Sequence, residues 1–412
     1  MFCLAGPLAA ATAVEGTVRA LEGVRVLDLS RILAGPFATM TLADLGAEVI
    51  KLESPGAGDD TRFWGPPFIE GESTYFLAVN RSKLGITLDF KNPKGRALLG
   101  KLIERSDILI ENFRPGTLDR LGLGFEDLAR SHPRLIYCSI SGYGHTGPRG
   151  PEPGFDAIIQ AESGIMSVTG AADGPPFKVG ASIADIVTGM YAVQAILAAL
   201  YQRQESGQGQ KIDIALLDSM VSTLTYQAGI YFATGRTPQR IGNRHPSIAP
   251  YETFEASDGF FTLGVTNDSQ WRRFCEAVEL QDLENDPRYV GVLQRVKNRE
   301  TLRARLSGLF RRSTVAHWLE RLRRAGIPCG EVRTVAQALE EPQLRARNMI
   351  LQIQHPKAGP IKLTGSPIKM SRSEPSEATA PPTLGQHNRQ VYRGILGLAE
   401  EEFETLKAEG VI

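Results

Sequence analysis

The chain has 412 residues, 42% of them apolar and 22% charged, with 46 Lys plus Arg against 46 Asp plus Glu. That length exceeds one ordinary core, so more than one domain is expected. The balanced charge argues against nucleic acid or an anionic membrane as the main partner, so any anion site must be local. Four scattered cysteines (Cys3, Cys138, Cys275, Cys329) lack C-x-x-C spacing, and the six histidines form no H-x-x-x-H pair, so neither a disulfide framework nor a metal site is expected.

The opening segment, "MFCLAGPLAAATAVEGTVRA", has no basic residue ahead of its apolar stretch, and residues 1–21 read as a disordered or extended start. No run reads as long enough to span a bilayer. A cytoplasmic protein is expected, or a mitochondrial one if the source is eukaryotic. From Val24 the pattern is regular. "VRVLDLS" reads as a strand, "RILAGP" as a loop, "FATMTLADLG" as a helix and "AEVIKLE" as a second strand. The cycle repeats through the helix "KGRALLGKLIERS", the strand "DILIENF", the helix "FEDLARSHP" and the strand "RLIYCSISGYG". Alternation with short connections predicts an α/β fold with a Rossmann-like open parallel sheet covered by helices.

This large domain is expected over 22–216, ending after a long apolar helix and the strand-like "GQKIDIALLD", with 217–239 as a linker. A smaller α+β domain follows over 240–335, with "PYETFEASDGFFTLGV" as a hairpin turning at Ser257–Asp258–Gly259 and helices behind it. Arg-rich stretches at 303–312 and 321–324 read as solvated helix faces. Residues 336–412 hold two short strands, a Pro-rich connection and a terminal helix, and are expected to return to the large domain.

The first strand–loop–helix unit carries no G-x-G-x-x-G, and the chain has no P-loop and no G-x-S-x-G elbow, which argues against a dinucleotide oxidoreductase or a serine hydrolase. His145, in a Gly/Pro loop, reads as a loop residue rather than a base. A nucleotide carrying pantetheine needs only a few cations, and Lys91, Arg114 and Arg120 stand in loops after strands, where open sheets bind ligands. Asp185 stands alone at the mouth of the helix "ADIVTGMYAVQAILAAL". It reads either as a helix cap or as a nucleophile, ionised at neutral pH without tuning.

In order and spacing, "VLDLSRILAGPF", "LADLGAEVIKLESPGAGDDTR", "NRSKLGITLDFKNPKG", "ENFRPGTLDRLGLG", "LIYCSISGYG" and "GQGQKIDIALLDS" resemble the family III CoA-transferases. "GAGDDTR", "ESTY" and "HPSIAPY" are similar to the branch that uses succinyl-CoA and glutarate. The resemblance implies that Asp185 is the catalytic aspartate and that Ala34, Leu88, Lys91 and Arg120 contact CoA. It implies an interlocked homodimer, acyl-CoA and a free carboxylic acid as substrates, and no resident cofactor. Arg81 and Arg295 match arginines of the glutarate branch and become candidates for gripping the far carboxylate of a dicarboxylic acceptor.

The family also contains 2-methylacyl-CoA racemases and formyl-CoA:oxalate CoA-transferases. Racemases place a histidine where this chain has Phe155, and a glutamate at the place of Asn267, so two-base proton transfer lacks its partners. No run of glycines matches the loop of the oxalate type. The implied chemistry is attack of Asp185 on a thioester, with backbone N–H groups at the helix mouth as oxyanion donors.

Overall fold

The computed structural model describes residues 19–373 and 377–412. The expectation for the N-terminus therefore lies, for residues 1–18, outside the described residues; Arg19–Leu21 enter a turn that buries Leu21. Six strands build one parallel sheet: β1 (Arg25–Asp28), β2 (Glu48–Glu53), β3 (Lys83–Thr87), β4 (Ile108–Glu111), β5 (Ile136–Ser141) and β6 (Lys211–Ala215). Their order is β3-β2-β1-β4-β5-β6. Val26 of β1 pairs with Val49 on one side and Ile108 on the other. The direction of winding therefore reverses between β1 and β4, and the crevice beyond their carboxyl ends is where such sheets hold ligands. Strand β3 escapes a reading by alternation because it opens on Lys83, a cation that is fully buried here.

Helices follow the strands: α1 (Ala34–Asp44), α2 (Thr74–Val79), α3 (Pro93–Glu104), α4 (Phe125–Ser131), α5 (Asp156–Glu162), α6 (Ile183–Ser206) and α7 (Leu216–Ser222). Local chemistry starts several of them. Ser73 caps α2 through the Tyr75 and Phe76 amides, and Asn92 caps α3 with Pro93 at its first position. Leu98, Leu99, Leu102 and Ile103 of α3 bury against Leu27, Ile50 and Ile86.

Helix α6 corrects one expectation, because by length and apolarity its 24 residues could cross a membrane. Instead Ala184, Thr188, Ala192, Val193 and Ile196 are buried within this unit. Gly189 permits the closest approach: a Cβ there would stand 2.7 Å from the carbonyl oxygen of Ala34. Small residues thus bring the first half of α6 against α1, the helix that follows β1.

The described residues of 19–159, 182–222 and 346–412 form one compact unit, and 160–181 with 223–345 form a second. The segment 160–181, which composition assigns to the large domain, goes with the second unit. The C-terminal strands β10 (Ile350–His355) and β11 (Gly359–Thr364) and helix α11 (Glu400–Ala408) belong to the first. Tyr392, Phe403 and Leu406 join its core, and Tyr392 donates to the Thr87 carbonyl at 2.7 Å.

The second unit has an antiparallel sheet of β7 (Tyr251–Glu255), β8 (Phe260–Gly264) and β9 (Cys329–Glu331), with Phe260 opposite Glu255 across the turn. Helices α8 (Asp268–Ala277), α9 (Arg299–Phe310) and α10 (Val315–Arg324) cover it, and Trp271, Phe274, Phe310 and Trp318 fill the core. The Arg-rich helices form a paired, solvated face in which Arg303, Arg311 and Arg321 meet Glu252, Glu255 and Glu279.

Candidate active site

A cavity of about 430 Å³ opens at the carboxyl ends of β1, β4 and β5. Its wall is built from Arg31 to Ala34 after β1, Asn112 to Pro115 after β4, Ile140 to Gly142, Pro153 to Phe155, and Asp185. A second cavity of about 390 Å³ shares Arg31, Phe113 and Thr117 with it and adds Ser54, Asp59, Phe90, Lys91 and Arg120. The two adjoin at the topological switch point, with Asp185, Glu152, Arg31 and Arg114 lining the first chamber and Lys91 and Arg120 joining Arg31 in the second.

The loop after β1 is held in an unusual shape. Ile32 has φ 70°, a left-handed conformation that a β-branched side chain disfavours. Its N–H donates to both oxygens of Asp59, at 3.3 and 3.2 Å. Asp59 is buried and pairs with Lys51 Nζ at 3.0 Å. Burial pushes its carboxyl up, but the Lys51 charge and the Thr61 bonds outweigh that and hold it at about 2. Beneath it, Asp28 accepts from Ser30, from Thr39 at 2.6 Å and from Lys83 at 3.2 Å. Because every carboxylate and ammonium in this stack has a partner, the loop has a rigid polar floor.

Asp185 is the third residue of α6, whose N-cap is Ser182. It does not cap the helix, and among the described residues no donor or cation bonds its carboxylate. Burial, then the negative charge of Asp156, raise its pKa from 3.8 to about 7. This corrects the expectation of a carboxylate ionised without tuning. Ala184 N–H donates to Asp156 Oδ1 at 2.9 Å, and Ile186 N–H to the Ser182 carbonyl at 3.1 Å. Those two amides are therefore occupied. The Asp185 N–H has no acceptor among the described residues.

Of the residues expected at the site, the structure brings Asp185, Ala34 and Arg114 to the first cavity and Lys91 and Arg120 to the second. Leu88 is fully buried in the core, so its side chain is not available to a ligand. Arg81 is a correction. It is buried, its guanidinium forks onto Asp44 at the end of α1, and it lines neither cavity. Arg295, in the second unit, is also fully buried. It donates to the Ala249 and Tyr289 carbonyls at 3.0 Å each and faces Asp268 at 3.0 Å. Neither arginine offers a free cation.

Residues the sequence did not single out complete the site. Tyr75 stands edge-on to Trp64 at 5.2 Å, and burial followed by the Asp185 charge pushes its phenol up to about 12. Asp156, adjacent to Phe155, faces the nucleophile candidate. The only signal for it was its place after Gly154 and Phe155 in the cavity wall. Phe155 itself is exposed there, with no ionisable group.

The family model for CoA-transferase family III matches residues 21–388. A succinyl-CoA:glutarate CoA-transferase of Mus musculus is 43% identical over 96% of this chain and 91% of its own length. An acetyl-CoA:oxalate CoA-transferase of Acetobacter aceti is 42% identical over 89% of this chain and 93% of its own. A crystal structure of a CAIB/BAIF family protein from Brucella suis superposes with a TM-score of 0.82 at 42% identity, covering 91% of this chain and 99% of that one. With a nearly full-length family match laid over a switch-point cleft of this kind, the chain belongs to CoA-transferase family III and is an enzyme that transfers CoA between carboxylic acids.

Proposed function

We propose that the enzyme moves CoA from succinyl-CoA to a dicarboxylic acid such as glutarate, with Asp185 as the nucleophile. The observation that carries this reading is a carboxylate without hydrogen bonds, on the wall of the same cavity as Ala34 and Arg114, at the start of a helix. A carboxylate that no donor stabilises is a strong nucleophile once ionised. It attacks the thioester carbonyl, the C–S bond breaks, and CoA leaves as thiolate, giving an aspartyl–succinyl anhydride. The thiolate then attacks the aspartyl carbonyl, releases succinate and leaves an aspartyl-CoA thioester. The acceptor carboxylate attacks that thioester, and the returning thiolate takes the new acyl group and frees Asp185.

Each residue has a part in that sequence. The Asp185 N–H, at the positive end of α6, is placed to donate to the oxyanion. Lys91, Arg120 and Arg31 supply the charges that phosphates of CoA require, and the chamber they line continues into that of Asp185. Ile32, Leu33, Ile140 and Phe155 make the reacting end apolar and keep water from the anhydride. The enzyme needs no resident cofactor for these steps. Support for glutarate comes from the similarity to transferases of that name, and an oxalate enzyme is about as similar, so oxalate belongs in the acceptor panel.

The partner in solution is a second copy of the chain, as the family resemblance implies. Met190, Leu197 and Tyr201 of α6 lie exposed on the single chain, which supports a covering subunit. We place the protein in the cytoplasm, or in mitochondria for a eukaryotic source.

The test is Asp185→Asn. Transfer from succinyl-CoA to glutarate should fall at least ~10³-fold, and hydroxylamine added during turnover should modify Asp185 in the wild type. Transfer at the wild-type rate in the Asn variant would remove the nucleophile. A chiral 2-methylacyl-CoA in deuterated water should acquire no α-deuterium, since Phe155 carries no proton; exchange as fast as transfer would favour the racemase reading.

A further inference from the structure

Ser182, the N-cap of α6, is a residue type that closes helices with its own hydroxyl, yet it makes no cap bond. The Ser182 hydroxyl instead acts on the Tyr75 phenol, whose pKa it lowers against the larger effect of burial. The first turn is closed from outside the helix, by Asp156 Oδ1 on the Ala184 amide at 2.9 Å. That bond spans 28 residues of sequence and ends one residue before Asp185. An acid placed there gains from the helix dipole, but it also stands against Asp185, a carboxylate with no donor among the described residues.

We propose that Asp156 is a positioning residue for the nucleophile: it fixes the first turn of α6 through Ala184 and sets a second negative charge against Asp185. The inference rests on Asp185 being the nucleophile. The fixed turn aims the Asp185 carboxylate into the cavity. The neighbouring charge makes it more basic, and so more reactive toward a thioester carbonyl once ionised. The other titratable or charged groups facing this chamber are Tyr75 from α2 and Arg31, Arg114 and Glu152 in its wall. The helices packed on α6 contribute Ala34 from α1 and Leu216 from α7, which do not titrate. Of these groups, Asp156 is the one whose charge acts on Asp185.

Two substitutions separate the bond from the charge. Asp156→Asn keeps an oxygen for the Ala184 amide and removes the charge. Burial is the larger influence on Asp185, so its ionisation should move only part of the way back. The acid limb of kcat/KM should shift down by about half a unit to one unit, with the plateau lowered several-fold by the weaker nucleophile. Asp156→Ala removes bond and charge together. Its kcat should fall on the order of 10²-fold at every pH, with KM for the acyl-CoA little changed, because the nucleophile is misaimed and CoA contacts are intact.

An Asn variant whose pH profile superimposes on the wild type would overturn the proposal, as would an Ala variant with wild-type kcat. If the Ala variant does not fold, the Asn profile decides alone. Loss of transfer in Asp185→Asn together with an unmoved limb in Asp156→Asn would sink this inference and leave the nucleophile in place. Retained transfer in Asp185→Asn would instead remove the nucleophile itself.

Discussion

At Asp185 a single buried carboxyl sets the charge it can carry against the stability of the fold. Its carboxyl is raised from 3.8 to about 7, first by burial and then by Asp156. Between those two values the native chain holds a proton that the unfolded chain has released, so stability falls as pH rises through that window. Above pH 7 the cost is complete. Asp185→Asn removes it, since a neutral amide has no charge to desolvate. The variant should match the wild type near pH 4 and exceed it at pH 8 by up to ~4 kcal/mol, three pKa units expressed as free energy. Denaturant midpoints at the two pH values measure this, and an equal gap at both would mean that the charge is not the cause. The same ionisation should appear in catalysis as an acid limb near neutrality.

At the scale of elements, the polar floor beneath the cleft joins strands to loops. Lys51 on β2 and Lys83 on β3 neutralise Asp59 and Asp28, and Asp59 keeps Ile32 in its left-handed turn. Arg81 belongs to a similar joint rather than to the substrate. It follows α2 and clamps Asp44, the last residue of α1, whose own carboxyl burial pushes up and Arg81 partly restores. Removing one member of a buried pair strands the other, at a cost of about 3–5 kcal/mol. Arg81→Ala should therefore lower the urea midpoint, while kcat/KM changes by the same factor for glutarate and for a monocarboxylate acceptor. A loss confined to glutarate would return Arg81 to the substrate.

For the whole molecule, the decisive feature is that α6 carries the proposed nucleophile at one end and exposed apolar side chains along its flank. Tyr201 is 70% exposed and Met190 46%, on a helix apolar enough to span a bilayer. If a second copy covers that flank, charges placed there should part the subunits. Leu197→Glu with Tyr201→Arg should convert the sedimenting species from dimer to monomer. A wild type that already sediments as a monomer at micromolar concentration would refute the dimer. Transfer should weaken with dissociation, because the helix that aims Asp185 loses its support.

Much of the architecture was legible in the chain because it is written in nearest neighbours. Alternation of strands and helices over 24–216 marks a parallel sheet, and "ASDG" marks the hairpin at 256–259. Asp185 was visible as one acid at the mouth of a long apolar helix, a position that a helix cap explains equally well, and the family resemblance singled it out. What an isolated side chain meets was not legible. Arg81 finds Asp44 across 37 residues, Leu88 is sealed in the core, and Asp156 reaches Ala184 across 28. Periodicity and propensity report which face of an element is apolar, and composition reports which charges are available. Which charge pairs with which, and which carboxylate is left without a donor, depends on distant segments packed side by side, so the tertiary structure alone decided it.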